Sequence, residues 1–247
     1  MRLGEALGRV VGGILAPWAA LGSLARNARL FHPDGVVYWA NIEPIVKEGI
    51  HGEFAKRLRG PALVRFSGGV WRNEKEWPDV LGIAIRFVSS KSASVQTPAP
   101  GDQDLLFVTS RRSVLLPLAP LFTNTHDFLA NDYHALLPFA VDDIGRVKFR
   151  IVAMRIPAQT GKRRDKLAAR VAAGTAVFRI EMKVMKLGAK WREVATVDIR
   201  EKANVDQKAL AFYPFRSGRG IVPVGAMQMI RAAVYPASAF ARRLIPK

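Results

Sequence analysis

Between Ala176 and Leu187 the chain alternates strictly, with Phe178, Ile180, Met182 and Val184 on one side and Arg179, Glu181 and Lys183 on the other. A period of two sends successive side chains to opposite faces, which a strand satisfies and a helix does not. Phe149–Ile156 alternates in the same way, and Trp191–Arg200 reads as a further strand. Val36–Ala40 reads as the first strand of the chain. Between these elements, Ser89–Gly101 is rich in Ser and Pro and reads as a surface loop. Pro117–Pro138 carries three prolines and reads as short helices and turns. The middle of the chain is therefore expected to be β-structure joined by loops.

The length, 247 residues, suits one domain with a sizeable core. A hydrophobic content of 49% argues for a globular chain, not a disordered one. The absence of cysteine excludes disulfides, zinc–thiolate sites, iron–sulfur clusters and thiol catalysis. It also fits a cytoplasmic protein. The net charge is +18, from 38 Lys and Arg against 20 Asp and Glu, a balance that attracts polyanions and anionic lipid surfaces. The densest basic run, Lys162-Arg-Arg-Asp-Lys166, precedes a short alanine-rich segment and has no interleaved aromatics of the kind that stack on bases. It reads as a solvated basic surface, and no specific nucleic-acid partner is expected. Arg216–Gly220 reads as a turn. The chain has no P-loop, no nucleophile elbow and no complete dinucleotide fingerprint. His51, His126 and His134 lack metal-ligand spacing and read as surface or core histidines, with His126-Asp127 a candidate substrate contact.

Leu3, Leu7, Val10, Ile14, Trp18 and Leu21 recur every three or four residues, as in an amphipathic helix interrupted near Pro17. The uncharged run Val10–Ala25 is short and rich in Gly and Ala for a membrane span. Neither a strongly basic start nor an Ala-x-Ala site marks a signal peptide. Residues 1–28 are accordingly expected to form an amphipathic helical segment packed on the main domain, residues 29–247, or lying on a membrane surface or a partner.

Near the other end, Arg231-Ala-Ala-Val-Tyr235-Pro236 places a guanidinium and a phenol four residues apart in a helix-forming segment. Positions i and i+4 share a helix face, and an arginine beside a phenol favours the phenolate. A phenolate is a ligand for ferric iron, and tyrosine is one of the axial ligands of haem. Pro236 ends the helix. Arg242 follows seven residues after the tyrosine, a candidate second cation for a haem propionate.

Four earlier segments join this one. Arg29-Leu-Phe-His32-Pro-Asp-Gly35 precedes the first strand, and Val64-Arg65-Phe66-Ser67 follows it. Asp79-Val80-Leu81-Gly82-Ile83-Ala84-Ile85-Arg86-Phe87 comes next, and Lys190-Trp191 leads into Val197-Asp198-Ile199. In this order they resemble the haem catalase family and its short catalase-related peroxidases, over most of Arg29 to Arg242. The resemblance implies an α+β fold: a catalase-like antiparallel β-barrel packed with helices, in a single haem-binding domain covering 29–247. It implies haem b as cofactor, with Tyr235 as the iron ligand and Arg231 keeping it anionic. Arg29, Arg65 and Arg242 would hold the haem propionates. His32 would be the acid–base histidine, and Ser67 would hydrogen-bond its far nitrogen. Arg65 and Ser67 stand at i and i+2, on one side of a strand, and histidine titrates in the range that peroxide chemistry needs.

The chain also departs from the family pattern. The asparagine that follows the family's Asp-Leu-Val-Gly is absent, since Asp104-Leu105-Leu106-Phe107 leads to Val108-Thr109. Phe31 replaces the small residue before the histidine, and Leu81 replaces the arginine before Gly82. A more apolar pocket suits an organic hydroperoxide, or a peroxidase that oxidises a small electron donor, better than rapid disproportionation of hydrogen peroxide. The expected function is thus a haem peroxidase or hydroperoxide-converting enzyme with weak catalase activity, forming a dimer and associating with membrane surfaces through its N-terminal helix. A non-catalytic haem carrier or sensor on the same scaffold is the alternative, and a basic, haem-free binding protein is a third reading.

Overall fold

The computed structural model describes residues 32, 34–46, 48–71, 75–89, 97–154, 157, 159–206 and 209–225. The N-terminal helical segment 1–28 lies outside the described residues, as do Arg29, Phe31, Arg231, Tyr235 and Arg242. In chain order the elements are β1 Gly35–Pro44, α1 Gly49–Leu58, β2 Gly60–Gly68, β3 Leu81–Phe87 and β4 Gln103–Val108. Two 3-10 turns follow, Ser113–Leu121 and Phe128–Ala130, then β5 Asp132–His134, β6 Phe139–Val141 and β7 Gly145–Ala153. The remaining elements are α2 Arg163–Ala172, β8 Val177–Val184, β9 Arg192–Lys202 and β10 Ile221–Pro223.

The strands pair in the order β7-β5-β4-β3-β2-β1-β9-β8, and β8 returns to β7. Eight antiparallel strands therefore close into a barrel, with β6 and β10 continuing the sheet outward from β7. This is the closed antiparallel barrel that the motifs implied. Closure leaves the eight strands no free edge within the ring. The alternating residues fill the interior. Tyr38, Val64, Phe66, Ile83, Ile85, Phe107, Phe149, Phe178, Ile180 and Met182 belong to one buried cluster. Phe66 sits at its centre, with its ring 5.4 Å from Phe128, 5.7 Å from Phe178 and 6.2 Å from Tyr38. A smaller cluster forms on the outer face, where Val37 and Leu63 meet Ala203 and Leu210, with Trp39 and Phe212 packed beside them.

The strands expected at Val36–Ala40, Ala176–Leu187 and Trp191–Arg200 are β1, β8 and β9, and the one expected at Phe149–Ile156 is the second half of β7. Pro117 and Pro120 interrupt α-helical hydrogen bonding, so the proline-rich stretch forms 3-10 turns and the short β5. Two α-helices were not foreseen. In α1 the buried residues Phe54, Ala55 and Leu58 recur at helical spacing, and Phe54 stacks on Phe149 at 5.9 Å. The basic run opens α2: Lys162, Arg164, Asp165 and Lys166 keep solvent contact as expected, but Arg163 is buried, as is Arg170 farther along the helix. Arg163 donates to the carbonyls of Thr125 and Lys75, and Arg170 pairs with Asp127 at 3.1 Å. Among the described residues no helix is long and apolar enough to cross a membrane.

His134, on the outer face of β5, is 9% exposed and meets the edge of Trp191, over which the Arg150 guanidinium lies at 4.7 Å. Burial pushes its pKa down to about 4, and the cations Arg150, Arg111 and Lys148 add to the effect, while Asp132 opposes it. The unfolded chain binds a proton here near pH 6.5 and the folded one near 4, so stability is lost as pH falls through that window. The loss is expected to reach roughly 2–3 kcal/mol by pH 4. Denaturant melts of the parent and of His134→Gln at pH 7 and pH 4.5 check it. A parent that loses no more stability than the variant would contradict this.

Candidate functional site

His32 and Asp34 precede β1 at the end of the barrel where β2 finishes, β3 begins and β4 finishes. Alternation divides β2 into an inward set, Ala62, Val64 and Phe66, and an outward set, Leu63, Arg65 and Ser67. Antiparallel register then aligns a row across four strands. Ser67 stands opposite Gly35 on β1 and Gly82 on β3, and Gly82 stands opposite Val108 on β4. All four therefore belong to the outer face.

His32 lies on this row. Its Nδ1 is 3.0 Å from Ser67 Oγ, a hydrogen bond whose direction follows the imidazole tautomer. The ring rests on Gly82, where a Cβ would lie 2.8 Å from Nδ1 and 3.2 Å from Nε2. Only a glycine leaves room for an imidazole there. The backbone of His32 is tied at both ends. Its N–H donates to Gly69 O at 2.7 Å, and its carbonyl accepts from Arg65 Nη2 at 3.0 Å. Arg65 in turn packs across Gly35, where a Cβ would lie 2.5 Å from its guanidinium carbon. These contacts hold His32 at a φ of 57°, in the left-handed region that non-glycine residues seldom occupy. Such a conformation persists where surrounding contacts over-determine it, and functional sites are where it concentrates.

The residues expected to act together therefore divide. His32, Ser67 and Arg65 converge, and Gly82 joins them. Arg29, Arg231, Tyr235 and Arg242 lie outside the described residues. Val108 takes the place next to Gly82 in the outer row. Thr109 is committed elsewhere: its Oγ1 accepts from Leu81 N at 3.1 Å and lies 2.8 Å from Thr123 Oγ1. Leu81 points into the core. His126 is paired with Glu76 at 2.7 Å and borders a cavity of about 370 Å³ with Asp127, Lys166 and Arg170. His32 is not among that cavity's lining residues, so the His126-Asp127 candidate does not join this site.

Sequence reasoning missed a buried polar network farther along the same face. Arg86 on β3 pairs with Asp104 on β4 at 2.9 Å, both almost without solvent contact. Asp104 also accepts from Tyr213 N at 2.7 Å and pairs with Arg216 at 2.6 Å, and Arg86 donates to Ala211 O. Gln103 adds a donation to Arg216 O at 2.6 Å and accepts from Gly218 N at 3.1 Å. The segment 211–218 is thereby fastened to the outer face that carries His32. The available signal was a charged pair inside two otherwise apolar strands. Among the described residues no group of three or more His, Cys, Asp or Glu could hold a bare metal ion.

The closed antiparallel barrel is a catalase-like fold. A fungal catalase of known structure superposes on it with a TM-score of 0.62 and 13% sequence identity, over 90% of this chain and 62% of that one. At that identity the likeness shows the fold alone, and this chain spans less than two thirds of the catalase. No family model and no curated protein sequence matches the chain.

Proposed function

We propose that this protein is a haem-dependent oxidoreductase that consumes peroxides, favouring organic hydroperoxides and small electron donors over disproportionation of hydrogen peroxide. The observation that carries the reading is the fixed imidazole. His32 is held by Ser67, Gly69 and Arg65 over a glycine that leaves space for nothing larger. A histidine that only filled a core would not need a left-handed backbone and a glycine floor. Tyr235 would be the iron ligand of haem b, with Arg231 favouring its phenolate. Arg29, Arg65 and Arg242 would meet the propionates, Arg65 while also holding His32 O. Haem bound there would supply an iron centre able to take an oxygen atom from a peroxide.

His32 Nε2 takes the proton from one peroxide oxygen and returns it to the other as water or alcohol leaves. Ser67 keeps the ring turned for that transfer through Nδ1. Val108 offers no hydrogen bond to a second peroxide molecule, and disproportionation needs two. Its apolar side chain suits the organic part of a hydroperoxide instead. Oxygen release from hydrogen peroxide is therefore expected to be slow compared with donor oxidation or hydroperoxide conversion. An oxygen electrode run beside a donor-oxidation assay compares them, and oxygen evolution at rates typical of true catalases would show that the pocket has been misread. Protein purified with haem supplied is expected to show a ferric tyrosinate-type absorption spectrum. No haem spectrum overturns the reading, and a haem spectrum without peroxide turnover identifies a carrier or sensor.

A further inference from the structure

We infer that the barrel end around His32 docks on an anionic lipid surface through the 3-10 segment Ser113–Leu121 with Phe122, and through Val70, Lys75 and Trp77 of the β2–β3 loop. Leu115, Leu116, Leu118, Leu121 and Phe122 are all exposed, the last two 74% and 83%. Five large apolar side chains open to water within eight residues form a patch, not the scattered exposure of an ordinary surface. Pro117 and Pro120 fix the segment's backbone, so the side chains are presented without ordering a flexible loop.

A second loop brings more of the same. The β2–β3 loop leaves the barrel at this end and is tied to the segment's far side, where Thr125 Oγ1 donates to Glu76 O at 3.0 Å. It exposes Val70 and Trp77. Lys75 Nζ lies 4.2 Å above the Trp77 ring, an apolar side chain and a cation presented together. Tryptophan beside lysine suits the boundary between acyl chains and headgroups.

Charge selects the occupant. Arg111 and Arg112 are exposed and immediately precede the apolar segment, and no acid occurs from Thr109 to His126. On the β2–β3 loop, Glu76 is engaged by His126 and the Arg163 N–H, and Asp79 is buried against the N–H groups of Val70 and Val80. Apolar side chains preceded by Arg111 and Arg112, with Glu74 beside Lys75 the one further acid of the β2–β3 loop, on a chain of net charge +18, match anionic phospholipid. A second copy of this chain would bring its own cations against them.

The test is co-sedimentation of the full chain with vesicles, which reads neither haem nor turnover and so stands or falls apart from the proposed activity. One set is phosphatidylcholine alone, and the other contains a quarter phosphatidylglycerol. Binding to the anionic set is expected to be about tenfold tighter or more. Leu118→Ser, Leu121→Ser and Phe122→Ser combined should weaken it by about tenfold or more, since each removes apolar area from the bilayer boundary. Arg111→Ser with Arg112→Ser should shrink the preference for the anionic set. All five sites are exposed, and circular dichroism checks that the variants fold. A triple variant that binds like the parent overturns the inference, because general basicity then explains adsorption. A parent that ignores both vesicle sets also overturns it. So does a triple variant whose principal change is a smaller oligomer by light scattering, which would make the patch a contact between copies.

Discussion

Tyr235→Phe is expected to purify with most of its haem lost, and any remainder should show a changed ferric spectrum. The phenolate is the proposed iron bond, and phenylalanine keeps the ring while removing the oxygen that makes it. The other tyrosines are poor substitutes. The chain has four, and burial pushes the phenol pKa of Tyr38, Tyr133 and Tyr213 up, away from the ionised form that iron needs. Tyr133 also donates its O–H to Phe128 O at 2.7 Å inside the barrel. None of the three has an arginine four residues before it, as Tyr235 has in Arg231. Haem content by pyridine haemochrome and the ferric absorption spectrum measure the effect directly. Unchanged haem content and spectrum in Tyr235→Phe would remove the ligand assignment. Arg231→Leu should give a milder version, with haem lost more readily as pH falls because the phenolate protonates sooner.

His32→Ala is expected to keep haem near the parent level and to slow peroxide consumption by about a hundredfold or more, the scale for losing a positioned acid–base group. Gly82→Ala separates chemistry from folding at the same place. Its backbone needs no glycine torsion, yet its Cβ would intrude on the imidazole at 2.8 Å from Nδ1. Displacing the ring without removing it should slow turnover by about tenfold or more while leaving the titrating group in place. Stopped-flow mixing with peroxide follows the step. If both variants match the parent, His32 is structural. If His32→Ala fails to fold, His32→Gln retains a polar side chain of similar length and decides the question.

The strands were legible because their evidence is local. The alternation of Phe178, Ile180 and Met182 is complete within β8, and Arg65 and Ser67 announce a shared face from two positions apart. The helices were not. Gly49 and Gly52 lower the helix propensity of α1, so its amphipathic spacing was hidden in a segment of weak formers. The burial of Arg163 in the basic run, and of Arg170 beyond it, was not legible because nothing nearby in sequence announced their partners. Those partners are Thr125, Lys75 and Asp127. The Arg86–Asp104–Arg216 network was illegible for the same reason, as Asp104 and Arg216 stand 112 positions apart. At the site, motif order pointed to His32 and Ser67, whereas the left-handed backbone and the glycine floor belong to tertiary structure. Tyr235 carries the opposite balance, with clear local chemistry in sequence and a position beyond the described residues.

The seam that closes the barrel has a bearing on how the chain is made. β1 pairs with β2 on one side and with β9 on the other, and the residues paired across the β1–β9 seam, Tyr38 with Lys202 to Pro44 with Ala195, stand more than 150 positions apart. A ribosome adding about 5–20 residues per second delivers the two halves of that seam on the order of ten to thirty seconds apart. Throughout that interval the nascent sheet of β1 to β4 can form hairpin by hairpin, while the outer side of β1 remains an unpaired template. The residues waiting there, from Tyr38 to Ile42, are mostly apolar and lead into Pro44, which cannot donate to an intruding strand. Yield in a cell should therefore depend on temperature and on chaperones that shield a β1 edge more strongly than on the equilibrium stability of the finished barrel.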